Sequence, residues 1–184
     1  LNFYTISDDI IADTQLKELL QKDYASVKDV RTACDCYNRL SFTLANNASL
    51  SSICVYTESP QFPTSGYIQR ASTEQVQTWF EQVKVPGSVY WESSFTDRVG
   101  SDSPELTLVR SFPFTSAQRP AILVIRMSNN YLKNRIQNNQ LFISVSLNQE
   151  PIFFSSQRSL QGTLETAPID YSQSYFQSKA KIEY

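Results

Sequence analysis

Residues 105–136, ELTLVRSFPFTSAQRPAILVIRMSNNYLKNRI, read as a strand, a short connection, a second strand and the start of a helix. In the first strand Leu106, Leu108, Arg110, Phe112 and Phe114 share one side, because side chains two apart point the same way. Arg110 is thereby placed on an apolar face. The second strand, residues 121–127, is apolar on both faces, with Leu123 and Ile125 on one and Ile122 and Val124 on the other. That pattern predicts a central strand covered on both sides. Asn129 or Asn130 is expected to cap the following helix, which carries Tyr131, Leu132, Arg135 and Ile136 at spacings of three and four.

Working outward, the apolar or small positions Leu16, Leu20, Tyr24, Val27, Val30, Cys34, Tyr37, Ser41 and Leu44 recur in steps of three and four, with no Pro or Gly among them. The pattern predicts one long helix of ~40 residues, reaching ~60 Å and longer than the domain needs. It is read as a stalk, half packed on the sheet and half projecting. Residues 50–57 (LSSICVYT) follow as a strand, and residues 58–66, with Pro60, Pro63 and Gly66, as a loop. Ser72 with Gln75 predicts a capping box for a helix whose Val76, Trp79, Phe80 and Val83 lie at i, i+3, i+4 and i+7. Pro86 and Gly87 stop it. In the strand SVYWESSF (residues 88–95), Val89, Trp91, Ser93 and Phe95 face one side and Tyr90, Glu92 and Ser94 the other. Beyond the central pair, residues 141–147 and 151–155 read as a hairpin turning at Asn148, Gln149 and Glu150. The final stretch is polar and weakly patterned.

Composition narrows the function classes. The 184 residues carry a net charge of −2 and no basic stripe, which argues against nucleic acid as a partner. The chain has no His, so Ser-His-Asp, Cys-His and His-ligated zinc chemistry are all excluded. An enzyme would have to work through carboxylates such as Glu92 and Asp97, and nothing brackets these as an acid and base pair. No Gly-rich phosphate loop or metal-ligand spacing occurs, so no cofactor or metal is expected. Cys34, Cys36 and Cys54 are an odd number, leaving at least one thiol outside any internal bridge; small buried core residues are the expected reading, with a link from Cys34 or Cys36 to Cys54 as the alternative. The chain opens at Leu1 without Met and is read as an excised fragment.

The entry helix running into LSSICVYT, the Tyr90-Trp91 strand, ELTLVRSFPF, AILVIRMSNNYLKNRI and the LFISVSLNQEPIFFSS hairpin occur in an order that resembles the extracytoplasmic Cache sensor domains. These are relatives of the PAS fold found in bacterial sensor histidine kinases of two-component systems. The resemblance implies an α+β fold: a long N-terminal helix with a PAS-like (Cache) five-stranded antiparallel sheet flanked by helices. It divides the chain into a stalk helix at 1–49, a sensor lobe at 50–138, and a hairpin and tail at 139–184 that would be an abbreviated or truncated membrane-proximal lobe. The implied function is ligand sensing on the extracellular face of the cell membrane. The signal would pass through the helix to a kinase in the parent membrane protein. Dimerisation through the same helix is expected from its spacing.

A guanidinium on an apolar strand face must meet an acid, Glu92, Asp97 or another, or a ligand's carboxylate or phosphate. The expected ligand site is therefore Arg110 with Tyr90 and Trp91 as walls, Asp97 as an acidic partner, and Tyr67 and Arg70 closing the space. Arg126 reads as a solvated charge near the end of the sheet. The amino-acid-binding branch of the family carries an Arg before a Trp-Tyr pair, whereas Val89 precedes a reversed Tyr90-Trp91 here, so amino acids are not implied. A small polar or anionic molecule, or an extracellular binding protein, is the expected partner. An interaction or adhesion module without a pocket is the alternative, and a broad exposed aromatic patch would mark it.

Overall fold

The computed structural model describes residues 3–94, 105–113, 120–131, 134, 144–147 and 150–154. Its centre is β5 (Ala121–Met127), hydrogen-bonded antiparallel to β1 (Leu50–Thr57) on one side and β4 (Glu105–Ser111) on the other. β3 (Val89–Ser94) pairs antiparallel with β4, and β2 (Ile68–Arg70) flanks β1, giving the order β2-β1-β5-β4-β3. The double-sided apolar run of β5 has the predicted consequence. Leu123 and Ile125 pack with Ile53, Val55, Leu106, Leu108 and Phe112 under the N-terminal helices, while Ile122 and Val124 pack with Val109 under a single helix on the opposite face.

The sheet is mixed, where an antiparallel one was expected. β2 runs parallel to β1, with Val55 opposite Ile68 and Thr57 opposite Arg70. The loop between them causes this. Phe62 is buried in the core, Gly66 adopts a φ of 107° open mainly to glycine, and the Arg70 amide donates to the Pro63 carbonyl at 2.7 Å. The chain is thus carried back along β1 before β2 begins, so a hairpin cannot form.

A second correction concerns the long N-terminal helix. The segment forms four short helices, α1 (Phe3–Ile11), α2 (Thr14–Gln21), α3 (Val27–Cys36) and α4 (Arg39–Ala45). No Pro or Gly is needed to break them. Asp13 leaves helical geometry to accept from the amides of Gln15 and Leu16, and Ser26 does the same for Asp29. Short polar side chains compete with the helix for its own amides. Breaking the rod lets Leu16, Leu20, Val30 and Leu40 all reach one sheet face, where they are buried. Leu16, Leu20 and Val30 belong to the spacing from which the long helix was expected, and Leu40 does not.

The four helices are tied together by Asp13, itself buried. Its carboxylate accepts from the Tyr37 hydroxyl at 2.7 Å and from Arg39 Nη1 at 2.9 Å, besides capping α2, while Arg39 Nη2 also donates to the Asp9 carbonyl at 3.2 Å. The Asp13 side chain therefore joins the start of α2 to the α3–α4 junction, and Arg39 carries the link on to the end of α1.

On the other face lies α5 (Glu74–Gln82), whose Val76, Trp79 and Phe80 are buried as its spacing predicts, together with Val83 just beyond it. Its cap is Thr73, which accepts from the Val76 amide, and not Ser72. Similarly Ser128, one residue before the expected Asn129, accepts from the Tyr131 amide where residues 129–131 turn helical. β6 (Ser144–Leu147) and β7 (Glu150–Phe154) form the predicted hairpin, with an irregularity between Val145 and Ser146, opposite Pro151. Phe114, Leu132, Arg135, Ile136, residues 141–143 and the tail from 155 lie outside the described residues. No described helix is long and apolar enough to cross a membrane.

All three cysteines are free, Cys54 buried, Cys34 half-buried and Cys36 exposed. Burial pushes the thiols of Cys34 and Cys54 each up to about 11. Alkylation of the native protein at neutral pH is expected to modify Cys36 first and Cys54 only on unfolding, because the thiolate is the nucleophile. Mass mapping that finds Cys54 labelled as fast as Cys36 would contradict this placement.

Candidate ligand site

Arg110 lies on the apolar face of β4, as alternation predicts, and meets an acid there. The acid is Asp8 of α1, at 2.5 Å from Arg110 Nη1, which also donates to the buried Ser7 hydroxyl at 2.6 Å. Glu92 bonds Trp79 on the other face instead, and Asp97 lies outside the described residues. The Arg110 side chain is 14% exposed, against 62% for Asp8. Its Nε is buried and has no hydrogen-bond partner among the described residues.

Trp91 is the neighbour of Arg110 on the same face: the register sets Trp91 opposite Leu108 and Val89 opposite Arg110. It is covered by α1. The indole meets Phe3 and Tyr4 edge-on, with ring centroids at 6.1 and 6.2 Å, and its N–H donates to the Tyr4 hydroxyl at 3.0 Å. The face expected to be open to a ligand is therefore occupied by the chain's own first helix.

Tyr90 packs on the opposite face with the α5 core, because adjacent residues of a strand point to opposite sides. It cannot wall the space beside Arg110. Tyr67 and Arg70 lie next to and on β2, at the far edge of the sheet. Three inter-strand steps separate β2 from β4, roughly 14 Å at the usual strand spacing. Of the expected site residues, the structure brings together Trp91 and Arg110.

A second polar group sits on the α5 face, at the end of the sheet where β5 finishes. Trp79, buried in the α5 core, donates its indole N–H to Glu92 Oε2 at 2.5 Å. The guanidinium of Arg126 lies over the same indole, 5.7 Å from the ring centroid, and its Nε is 3.8 Å from Glu105 Oε2. Glu105 is itself held by the Ser51 hydroxyl at 2.9 Å. In register, Arg126 lies between Ser52 and Thr107, and Glu92 lies opposite Thr107. The Arg126 side chain is 33% exposed, and its ion pair with Glu105 is made at 3.8 Å, longer than a hydrogen bond.

Along the same face, towards β2, Tyr56 packs against Trp79 with ring centroids at 6.2 Å. The Gln69 amide donates to Cys54 Sγ at 3.1 Å. Burial, and then the neighbouring Cys54, push the Tyr56 hydroxyl up to about 12. Tyr56 and Cys54 are thus neutral groups, able to wall a site without adding charge to it. The charged members are Arg126, Glu92 and Glu105. Sequence alternation puts Arg126 on the Val124 face, but only the packing of α5 sets it on an indole.

No protein-family model matches the chain, and no curated protein matches its sequence.

Proposed function

We propose that the chain is an extracytoplasmic sensor domain of the Cache type, from a membrane-bound sensor histidine kinase, that takes a small polar or anionic ligand beside Arg126. The observation that carries the choice of site is the Arg126 guanidinium over the Trp79 indole, with a third of its side chain open to solvent and its acid, Glu105, at 3.8 Å, beyond hydrogen-bonding distance. A ligand carboxylate or phosphate suits that fork, and Tyr56 and Trp79 supply aromatic walls. Arg110, by contrast, already has its acid. The interior position of β5, antiparallel to both neighbours, supports the family reading, because the resemblance requires it. Glu92 is committed to an indole N–H, which supports binding over acid–base catalysis.

The test is a thermal-shift screen of sugars, carboxylates, amino acids and nucleobases. A ligand that binds the folded state alone adds roughly 2.7 kcal/mol at a hundredfold excess over its dissociation constant. That corresponds to a rise of several degrees at the ~2–4 °C per kcal/mol usual for this size. Arg126→Ala is expected to weaken the hit by about tenfold or more, the loss of a charge-assisted hydrogen bond. A hit that survives Arg126→Ala and disappears in Arg110→Met puts the ligand under α1 instead. A screen without hits favours recognition of a protein partner.

A further inference from the structure

We infer that α1 is a releasable strap over the Trp91–Arg110 surface, able to leave the sheet while the rest of the fold stays intact. Among the described residues, polar contacts from Arg110 to Ser7 and to Asp8 and from Trp91 to Tyr4 fasten it to the sheet, around the buried apolar anchors Phe3 and Ile10. The fastening is only partly compensated. Docking α1 leaves Arg110 Nε buried without an acceptor among the described residues, whereas an undocked α1 would return that N–H to water. The acid that balances the guanidinium is mostly exposed, so solvent screens the ion pair that docking creates.

The attachment of α1 to α2 is also breakable. Ala12 and Asp13 interrupt the backbone between them, and the Asp13 carboxylate caps α2 and holds Tyr37 without needing α1. The links across that break on the α1 side are Arg39 Nη2 on the Asp9 carbonyl and the Asp13 amide on the Ile10 carbonyl at 3.2 Å. Release of α1 would uncover an indole and a guanidinium together, a surface suited to an aromatic or anionic group. This inference stands apart from the sensory reading, since it concerns only which part of the fold opens first.

Native-state hydrogen exchange on the full chain tests it. In the wild type the amides of α1 should exchange at least about tenfold faster than those of β4 and β5, by local opening. Asp8→Asn alters a largely exposed side chain and leaves the core in place. It should accelerate the α1 amides by a further threefold to tenfold, roughly the worth of a partly exposed charged hydrogen bond, with β5 unchanged. Raising the salt concentration should do the same to the wild type and little to Asp8→Asn. Protection of α1 equal to that of β5, acceleration shared by β5, or α1 exchange that ignores the substitution would each overturn the strap.

Discussion

Asp13→Ala lowers the unfolding free energy by about 3 kcal/mol, which is roughly 6–12 °C in melting temperature for a chain of this size. The residue is buried and has four partners: the Gln15 and Leu16 amides, the Tyr37 hydroxyl and Arg39. Losing the cap costs about 1 kcal/mol, and leaving the Tyr37 hydroxyl without its acceptor about 1–3 kcal/mol. Arg39 is half exposed and adds little. Asp13→Asn retains an acceptor for the cap, and its Nδ2 can donate to the Tyr37 oxygen in place of accepting from it, so it should cost less than Asp13→Ala. The pH dependence has a defined sign. Burial works to raise the Asp13 pKa, but the Tyr37 hydrogen bond, the Leu16 and Gln15 amides and Arg39 together hold it below the ordinary carboxylate value. A depressed folded pKa means that its contribution is complete above the unfolded value of ~3.9 and is lost as pH falls through the folded one. Urea titrations at neutral and strongly acidic pH should show the gap between wild type and Asp13→Ala narrowing in acid. A constant gap would mean that the carboxylate's charge contributes nothing.

Trp79→Ala costs about 3–5 kcal/mol, the range for deleting a fully buried aromatic side chain. Trp79 fills the centre of the α5 core, and its loss also strips Glu92 of its donor and Arg126 of the ring beneath it. Trp79→Phe separates the two parts. It keeps most of the apolar volume and removes the N–H, so its cost should be about 1–2 kcal/mol. Far-UV circular dichroism of the urea transition measures both. A Phe variant as unstable as the Ala variant would mean that the indole N–H to Glu92, and not packing, holds α5 on the sheet.

The parts of the fold legible in the sequence are those in which one short pattern has one solution. The doubly apolar run of β5 can only be interior, and Val76, Trp79, Phe80 and Val83 can share only one helical face. The N-terminal segment failed the same reading because four capped helices and one long helix carry the same spacing of apolar residues. The distinguishing signals were local: Asp13 before Thr14, and Ser26 three residues ahead of Asp29, whose carboxylate accepts from the Ser26 hydroxyl at 2.8 Å. The parallel β2 was hidden because its direction is set by the seating of Phe62 and the Gly66 turn, not by its own three residues. At the site, alternation already set Tyr90 on the face opposite Trp91, so the two could not wall one space; which of them shares a face with Arg110 is fixed by the β3–β4 register. What alternation cannot supply is the covering element. That α1 closes over Arg110 while Arg126 meets Trp79 depends on contacts between residues far apart in sequence.

The central claim is that ligand recognition occurs on the α5 face, and amide chemical-shift mapping of the isotope-labelled chain with a thermal-shift hit tests it most directly. The claim predicts that the largest perturbations fall on Ser52, on Val76 to Phe80, on Glu92 and on Arg126, and that they vanish in Arg126→Ala. Perturbations gathered instead on Phe3 to Asp8, Trp91 and Arg110 would contradict it.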